Sequence, residues 1–150
     1  MHRMHHTDPD YDLTTGSRFH PGCILISAMI KLSLVLVLGP VPGAIVLAEI
    51  LLKVSPMFNH SNINLSPQLD KRLRLLIVTP DMYRVHHSIA LQERNRNFGF
   101  NFPWWDRLFG AYQDQPSEQH ADMRIGIDGF QGPAATDLLK LLVQSLLKQG

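Results

Sequence analysis

The sequence predicts an all-α, integral-membrane fold: an apolar helical hairpin with a histidine-rich, helical metal-binding region on its cytoplasmic side. Three observations predict it. Residues 22–52 are almost continuously apolar, interrupted by Lys31, Glu49 and one breaker, Gly39-Pro40-Val41-Pro42-Gly43. Seven of the eight histidines, His2, His5, His6, His20, His60, His86 and His87, lie in polar groups on either side of that run, and His120 stands apart. Lys53, Lys71, Arg72, Arg74, Arg84, Arg94, Arg96 and Arg107 all follow the run, and its turn carries no charge.

Composition sets the frame. Charged residues make up 18% of the 150, below the ~25% usual for soluble domains. A net charge of +1 gives no reason to expect nucleic acid as a partner. The lone Cys23 excludes an internal disulfide and a thiolate metal cluster. Met1 is followed at once by the polar His2-Arg3-Met4-His5-His6, so no signal peptide is visible and internal segments must carry membrane insertion. That start falls inside a motif, and Met1 is expected to be an internal methionine of a longer protein.

Residues 1–21 are polar, with turn formers at Asp8-Pro9-Asp10 and Thr15-Gly16-Ser17. Pro21 to Leu38 then spans 18 residues, about 27 Å as a helix against a ~30 Å hydrocarbon core. The second half, from Gly43, recrosses if its helix continues through Pro56. Two prolines and two glycines in five residues suit a tight turn, because each proline removes a backbone donor and clashes with the preceding turn. Only an even number of crossings reunites the histidines on one face, and the basic residues place that face in the cytoplasm. The competing reading of the run is a buried hairpin in a soluble helical protein.

Beyond the hairpin, Leu69 to Ile77 reads as an amphipathic helix with a basic face. Thr79-Pro80-Asp81 reads as a helix start that Asp81 caps, leading into Tyr83–His87. Residues 92–112, rich in asparagine, glycine and aromatics, read as an ordered loop. Ala134 to Lys148 reads as a final helix whose leucines form one face, capped by Thr136 or Asp137, packed on the domain or in the membrane interface.

His2, His5 and His6 form H-x-x-H-H. On a helix they stand at about 0°, 300° and 40°, one ~100° arc, so one face offers three imidazoles to metal. Tyr83, His86 and His87 repeat the spacing with a tyrosine first. Neutral imidazole suits iron, zinc, copper or nickel, so the ligand type does not select the metal. A zinc hydrolase is disfavoured, since neither box has the glutamate of H-E-x-x-H.

The ordered set His2-Arg3-Met4-His5-His6, Arg-Phe-His-Pro at 18–21, Phe-Asn-His-Ser-Asn at 58–62, Arg-Val-His-His-Ser at 84–88, and Asn-Phe-Gly at 97–99 leading to Trp-Asp-Arg-Leu-Phe-Gly at 105–110 resembles the sterol desaturase and fatty acid hydroxylase superfamily. The resemblance covers residues 1–112, leaving 113–150 as a tail with an amphipathic helix. It implies a non-haem di-iron site that uses molecular oxygen and an external electron donor to hydroxylate or desaturate a sterol, fatty acid or related lipid. It also implies the metal ligands His2, His5, His6, His20, His60, His86 and His87, with His20 alternatively a supporting donor. Tyr83, Asn62 and Asn97 are implied as groups behind the ligands, and Asp106 as a residue that fixes the closing loop. Two departures stand beside it: no H-x-x-x-H box precedes His2, and Tyr83 replaces the usual first histidine of the second box. They motivate the alternative of a truncated or degenerate member that binds metal without turnover.

Overall fold

The structure, a computed structural model, describes residues 2–8, 10–118, 120, 122–129, 135 and 137–143. Among them it is mostly helical and has no strand; Ser88 and Ile125 make an isolated bridge.

The apolar run folds as two 18-residue helices, α2 (Pro21–Leu38) and α3 (Pro42–Asn59), after a short α1 (Arg3–His6) and a 3-10 turn at Thr15–Ser17. Each long helix has proline in its first turn, where the missing N–H is no loss. α2 stops at Gly39, whose φ of +57° lets the chain leave the helix left-handed while its N–H still donates to the Val35 carbonyl at 3.0 Å. Gly43 is already inside α3, so the turn is tighter than its five-residue signature. The run's two charges find each other: Lys31 Nζ donates to Glu49 Oε1 at 2.6 Å across the hairpin. Such pairing is how charges are tolerated within a membrane segment.

α2 buries none of its residues, and α3 buries only Pro56 and Asn59. A hairpin forming the core of a soluble protein would bury its apolar face against its own chain; this one leaves it outward at a length suited to lipid. Pro56 does not end α3, which continues to Asn59, and His60 follows as its C-cap. The hairpin brings the chain back to where it left, since His60 packs against both His5 and His87.

α4 covers Pro67–Leu73, α5 Pro80–His86, α6 Leu91–Arg94, α7 Trp104–Leu108 and α8 Leu138–Val143. Several details differ from the sequence reading. α4 ends short of Ile77, and Arg74, expected on a basic outer face, turns inward: its Nε lies 2.5 Å from Asp70 Oδ2, and its Nη1 bonds the Asp114 carbonyl. Thr79, not Asp81, occupies the N-cap of α5, with Pro80 at the first helical position. The 92–112 loop takes in most of α6 and all of α7. In α8, Asp137 Oδ1 accepts from Lys140 N at 3.1 Å, the cap expected of it, and Leu141 is buried. Thr136, Ala134 and residues 144–148 of that expected helix lie outside the described residues.

The interior beyond the hairpin is unusual in kind. Val78, Met82 and Tyr83 form a small apolar cluster with Tyr112 against it. Around it the buried residues are mainly polar, and His5, His60 and His87 are among the largest fully buried side chains. Polar groups withdrawn from water must be paired, so the histidines need partners of some kind.

Candidate metal centre

Six histidines come together in two groups of three, His5, His60 and His87 in one and His2, His6 and His86 in the other, the ligand atoms of each lying within 4.8 Å of one another. The inner group is wholly buried; in the outer group only His2 is exposed. The groups are adjacent, the His6 ring 4.5 Å from that of His87 and 4.6 Å from that of His86.

Local structure explains the division. Neighbouring residues on a helix point about 100° apart, so each His-His pair splits. His5 turns to the inner group while His6, with His2 one turn before it, joins the outer. His87 turns inward and His86 outward. The sequence reading, in which each box offers one face to metal, is corrected here: each box serves both groups. His60, at the end of α3, completes the inner triad.

Backbone carbonyls orient two of the rings. His60 Nδ1 lies 2.6 Å from the Pro56 carbonyl and His86 Nδ1 2.8 Å from that of Arg96. A ring nitrogen so close to a carbonyl carries the hydrogen, which leaves Nε2 as a lone pair aimed into the group. Into the single Nε2 lone pair of His60 point both His5 Nε2, at 3.1 Å, and His87 Nε2, at 3.2 Å. One lone pair accepts one hydrogen bond well, and the third nitrogen is left without a role. A cation at the point of convergence resolves the conflict, so the residues fit a metal ion.

Protonation points the same way. Burial, reinforced by the neighbouring imidazoles, lowers His5 from 6.5 to about 2, and burial lowers His60 and His86 to about 4. His6 and His87 are pushed lower, again first by burial. All are neutral at pH 7, the state in which imidazole binds metal.

The other expected residues have distinct places. His20 joins neither triad: its Nδ1 accepts from Gly22 N at 3.0 Å at the start of α2, and its Nε2 lies 3.3 Å from the Leu142 carbonyl. Its neighbour Phe19 reaches the centre instead, stacked on His5 at 4.8 Å. Tyr83 is buried between the groups, its ring 4.9 Å from His60, 5.2 Å from His86 and 5.5 Å from His87. Burial raises its phenol well above the ordinary value, so it is neutral. Asn62 is exposed, 3.4 Å from Arg84 Nη2, and away from the imidazoles. Asn97 is fully buried at φ +49°, donates to the Met82 and Gln113 carbonyls at 2.9 Å, and ties α5 to the closing loop. Asp106 accepts from Phe98 N and Gly99 N at 2.8 and 3.0 Å, holding that loop. His120 pairs with Gln115 at 3.2 Å.

Three supporting residues escaped the sequence reading. Tyr11, buried at φ +42°, packs on His60 and His87 and donates to the Asn59 carbonyl at 3.0 Å. Asp8 accepts from Thr15 Oγ1 at 2.7 Å and lies 3.2 Å from Arg18 Nη1, tying down the loop beneath His60. Gly16 is where that loop meets α3: a Cβ there would stand 2.9 Å from the Pro56 oxygen and 3.3 Å from His60 Nδ1. Asp8 and Gly16 sit among turn formers in the sequence, and Arg18 in Arg-Phe-His-Pro is the visible partner that signals Asp8.

The fatty acid hydroxylase family profile matches residues 1–111, which contain all six clustered histidines. The chain belongs to the fatty acid hydroxylase family. Its curated relatives include the ornithine lipid hydroxylase OlsE of Rhizobium tropici, 27% identical over 151 aligned positions that take in 100% of this chain and 43% of the relative. They also include the alkylglycerol monooxygenase of Homo sapiens, 30% identical over 112 positions, 75% of this chain and 24% of the relative. The chain thus spans less than half the length of either. No solved structure matches it. Membership in this family and the two lipid-length helices point to a membrane protein.

Proposed function

We propose that this chain holds the metal centre of an oxygen-dependent di-iron lipid oxygenase, hydroxylating or desaturating a sterol, fatty acid or related lipid with electrons from an external donor. The observation that carries the proposal is the division of six neutral imidazoles into two adjacent triads, a donor set for two ions. The relatives' names, an ornithine lipid hydroxylase and an alkylglycerol monooxygenase, support a polar-headed lipid as substrate. The run of basic residues after the hairpin supports a cytoplasmic site in a two-pass segment.

In this reading His5, His60 and His87 hold the inner iron and His2, His6 and His86 the outer, while His20 caps α2. Bound iron supplies activation of dioxygen and removal of hydrogen from an unactivated C–H bond. The chain's own residues supply position and dryness. The Pro56 and Arg96 carbonyls fix the tautomers of His60 and His86; Phe19 and Tyr11 close the inner triad against water. Tyr83, neutral between the groups, offers a hydrogen-bond donor into the centre.

One observation favours a second reading, a scaffold that binds metal without turnover. Tyr83 stands where the second box usually has histidine, and its buried phenol resists ionising to a ligand. Iron content and lipid product of the full-length protein, purified in detergent and supplied with a chemical reductant and oxygen, separate the readings. Two irons per chain with an oxygenated lipid support the oxygenase; stable iron without oxygen consumption above background supports the scaffold; no iron bound overturns both.

A further inference from the structure

Outside the hairpin, one large outward-facing apolar surface lies at the junction of α4 and α7. Trp104 Nε1 donates to the Leu75 carbonyl at 2.7 Å, and Arg107 Nη2 to the Arg74 carbonyl at 3.2 Å. The docking leaves Leu75, Leu76, Trp104, Trp105, Leu108 and Phe109 outward, Phe109 at 76% exposure. Isolated exposed apolar residues are ordinary, but six together, two of them tryptophans, mark a surface that meets something.

The surface is held firmly in place. Asp106 accepts from the Phe98 and Gly99 amides, and Val78 N donates to the Asn101 carbonyl at 3.1 Å. Asn59 Nδ2 donates to the Phe100 carbonyl at 2.7 Å. Asn59 is the last residue of α3, so the aromatic segment is pinned where the outward apolar surface of the long helix ends. Exposed Lys71, Arg72 and Arg107 border it. The nearby acids are engaged elsewhere: Asp70 and Asp114 with Arg74, Asp106 with the loop amides. Tryptophan and phenylalanine beside unneutralised cations, at the end of a membrane helix, are the composition of a headgroup-layer contact.

We infer that the Leu75–Phe109 surface seats in the headgroup layer of the same bilayer that α2 and α3 cross, its cations against anionic lipid. It rests on the membrane-hairpin reading. Continuity with α3 selects lipid as the occupant, and the bordering cations oppose pairing with a second copy of this face.

Trp104 and Trp105 are the chain's two tryptophans, so tryptophan-selective fluorescence reads this surface alone. The full chain is reconstituted in phosphatidylcholine–phosphatidylglycerol vesicles containing phosphatidylcholine brominated either near the headgroup or at the chain ends. Shallow bromine should quench the emission about twofold more than deep bromine, as expected for side chains ~5–10 Å into the interface, with aqueous iodide largely excluded. Lys71→Glu with Arg72→Glu should weaken the quenching in anionic vesicles and not in pure phosphatidylcholine. Emission open to iodide and untouched by either brominated lipid, from a chain that survives an alkaline carbonate wash, overturns this inference and leaves the hairpin standing. Iodide protection that vanishes on dilution to one chain per vesicle overturns it in favour of self-association. A chain washed off by carbonate overturns the hairpin and this inference together.

Discussion

The two histidine triads draw on the same two helices and differ in support. The inner one, His5, His60 and His87, lies wholly inside the protein, packed by Phe19 and Tyr11, with His60 set by the end of α3. The outer one is open at His2, and its His86 ring is oriented by the Arg96 carbonyl in the closing loop. The end of α3 thus supports one triad, and the closing loop the other. If so, they should fail separately. His87→Ala should remove the inner ion and spare the outer, with an affinity loss beyond the 10–100-fold typical of losing a supporting residue. His86→Ala should remove the outer ion and spare the inner. Iron per chain measured on each variant checks this; equal, total loss from both would show a single indivisible centre.

Protonation cuts across the comparison, for burial keeps imidazoles of both triads neutral. Burial lowers His60 and His86, one in each triad, to about 4, with a backbone carbonyl partly offsetting it; burial and the neighbouring imidazoles hold His5, His6 and His87 lower. All have folded values below the 6.5 of a free histidine, so the unfolded chain binds more protons across that interval. Stability of the metal-free protein should therefore fall as pH drops from 6.5 toward about 4, by at least a few kcal/mol, and His5, His6 and His87, held lower still, steepen the fall. Denaturant midpoints in detergent across that range test it. A flat profile would mean that water reaches these rings and keeps their pKa values ordinary.

Gly16 isolates the support of the inner triad. Its alanine Cβ would press on the Pro56 backbone, which cannot swing aside as a flexible side chain can. Gly16→Ala should cost about 1–3 kcal/mol and lower inner-site affinity, leaving the outer ion unchanged. Metal titration followed with denaturation would expose the asymmetry; parallel weakening of both sites would argue that the loop supports the whole centre.

How much of this was legible in the sequence follows from what a pattern encodes. The hairpin was readable because an apolar run with a proline-glycine breaker has few other solutions, and Lys31 and Glu49, which looked like blemishes, pair across it. The histidines were readable from spacing, their partition was not. A helical wheel shows that His2, His5 and His6 share an arc; which neighbour stands at each edge of that arc is decided by His60 and α5, distant in the chain. The resemblance implies Asn62 within Phe-Asn-His-Ser-Asn, yet the buried asparagine of that motif is Asn59, because it falls in the last turn of α3 while Asn62 follows the helix into solvent. Tyr11 and Gly16 act through irregular backbone, which has no periodicity to read.

Tyr83 lies where the triads meet, so its substitution weighs them against each other. Tyr83→Phe should leave iron content nearly intact and lower turnover severalfold, since only the hydroxyl is lost. Tyr83→His should preserve or raise occupancy. Absence of a visible phenolate-to-iron absorption in the ferric protein would agree with a neutral phenol; that absorption, or iron loss in Tyr83→Phe, would make the tyrosine a ligand.

The smallest effect is expected at His20, where the motif and the geometry part most clearly. Its Nδ1 caps α2 through Gly22 N while its Nε2 faces the Leu142 carbonyl, so the ring is occupied at both nitrogens and has no lone pair left to offer. Losing a cap costs about 0.5–2 kcal/mol, and proline at the first helical position already spares α2 one unsatisfied amide. His20→Ala should thus lower the thermal midpoint slightly while iron per chain stays at the parental value in both triads. His20→Asn, which keeps a side-chain acceptor for Gly22 N, should recover the midpoint. A ligand would behave the other way: iron would fall in both variants, and asparagine would rescue nothing.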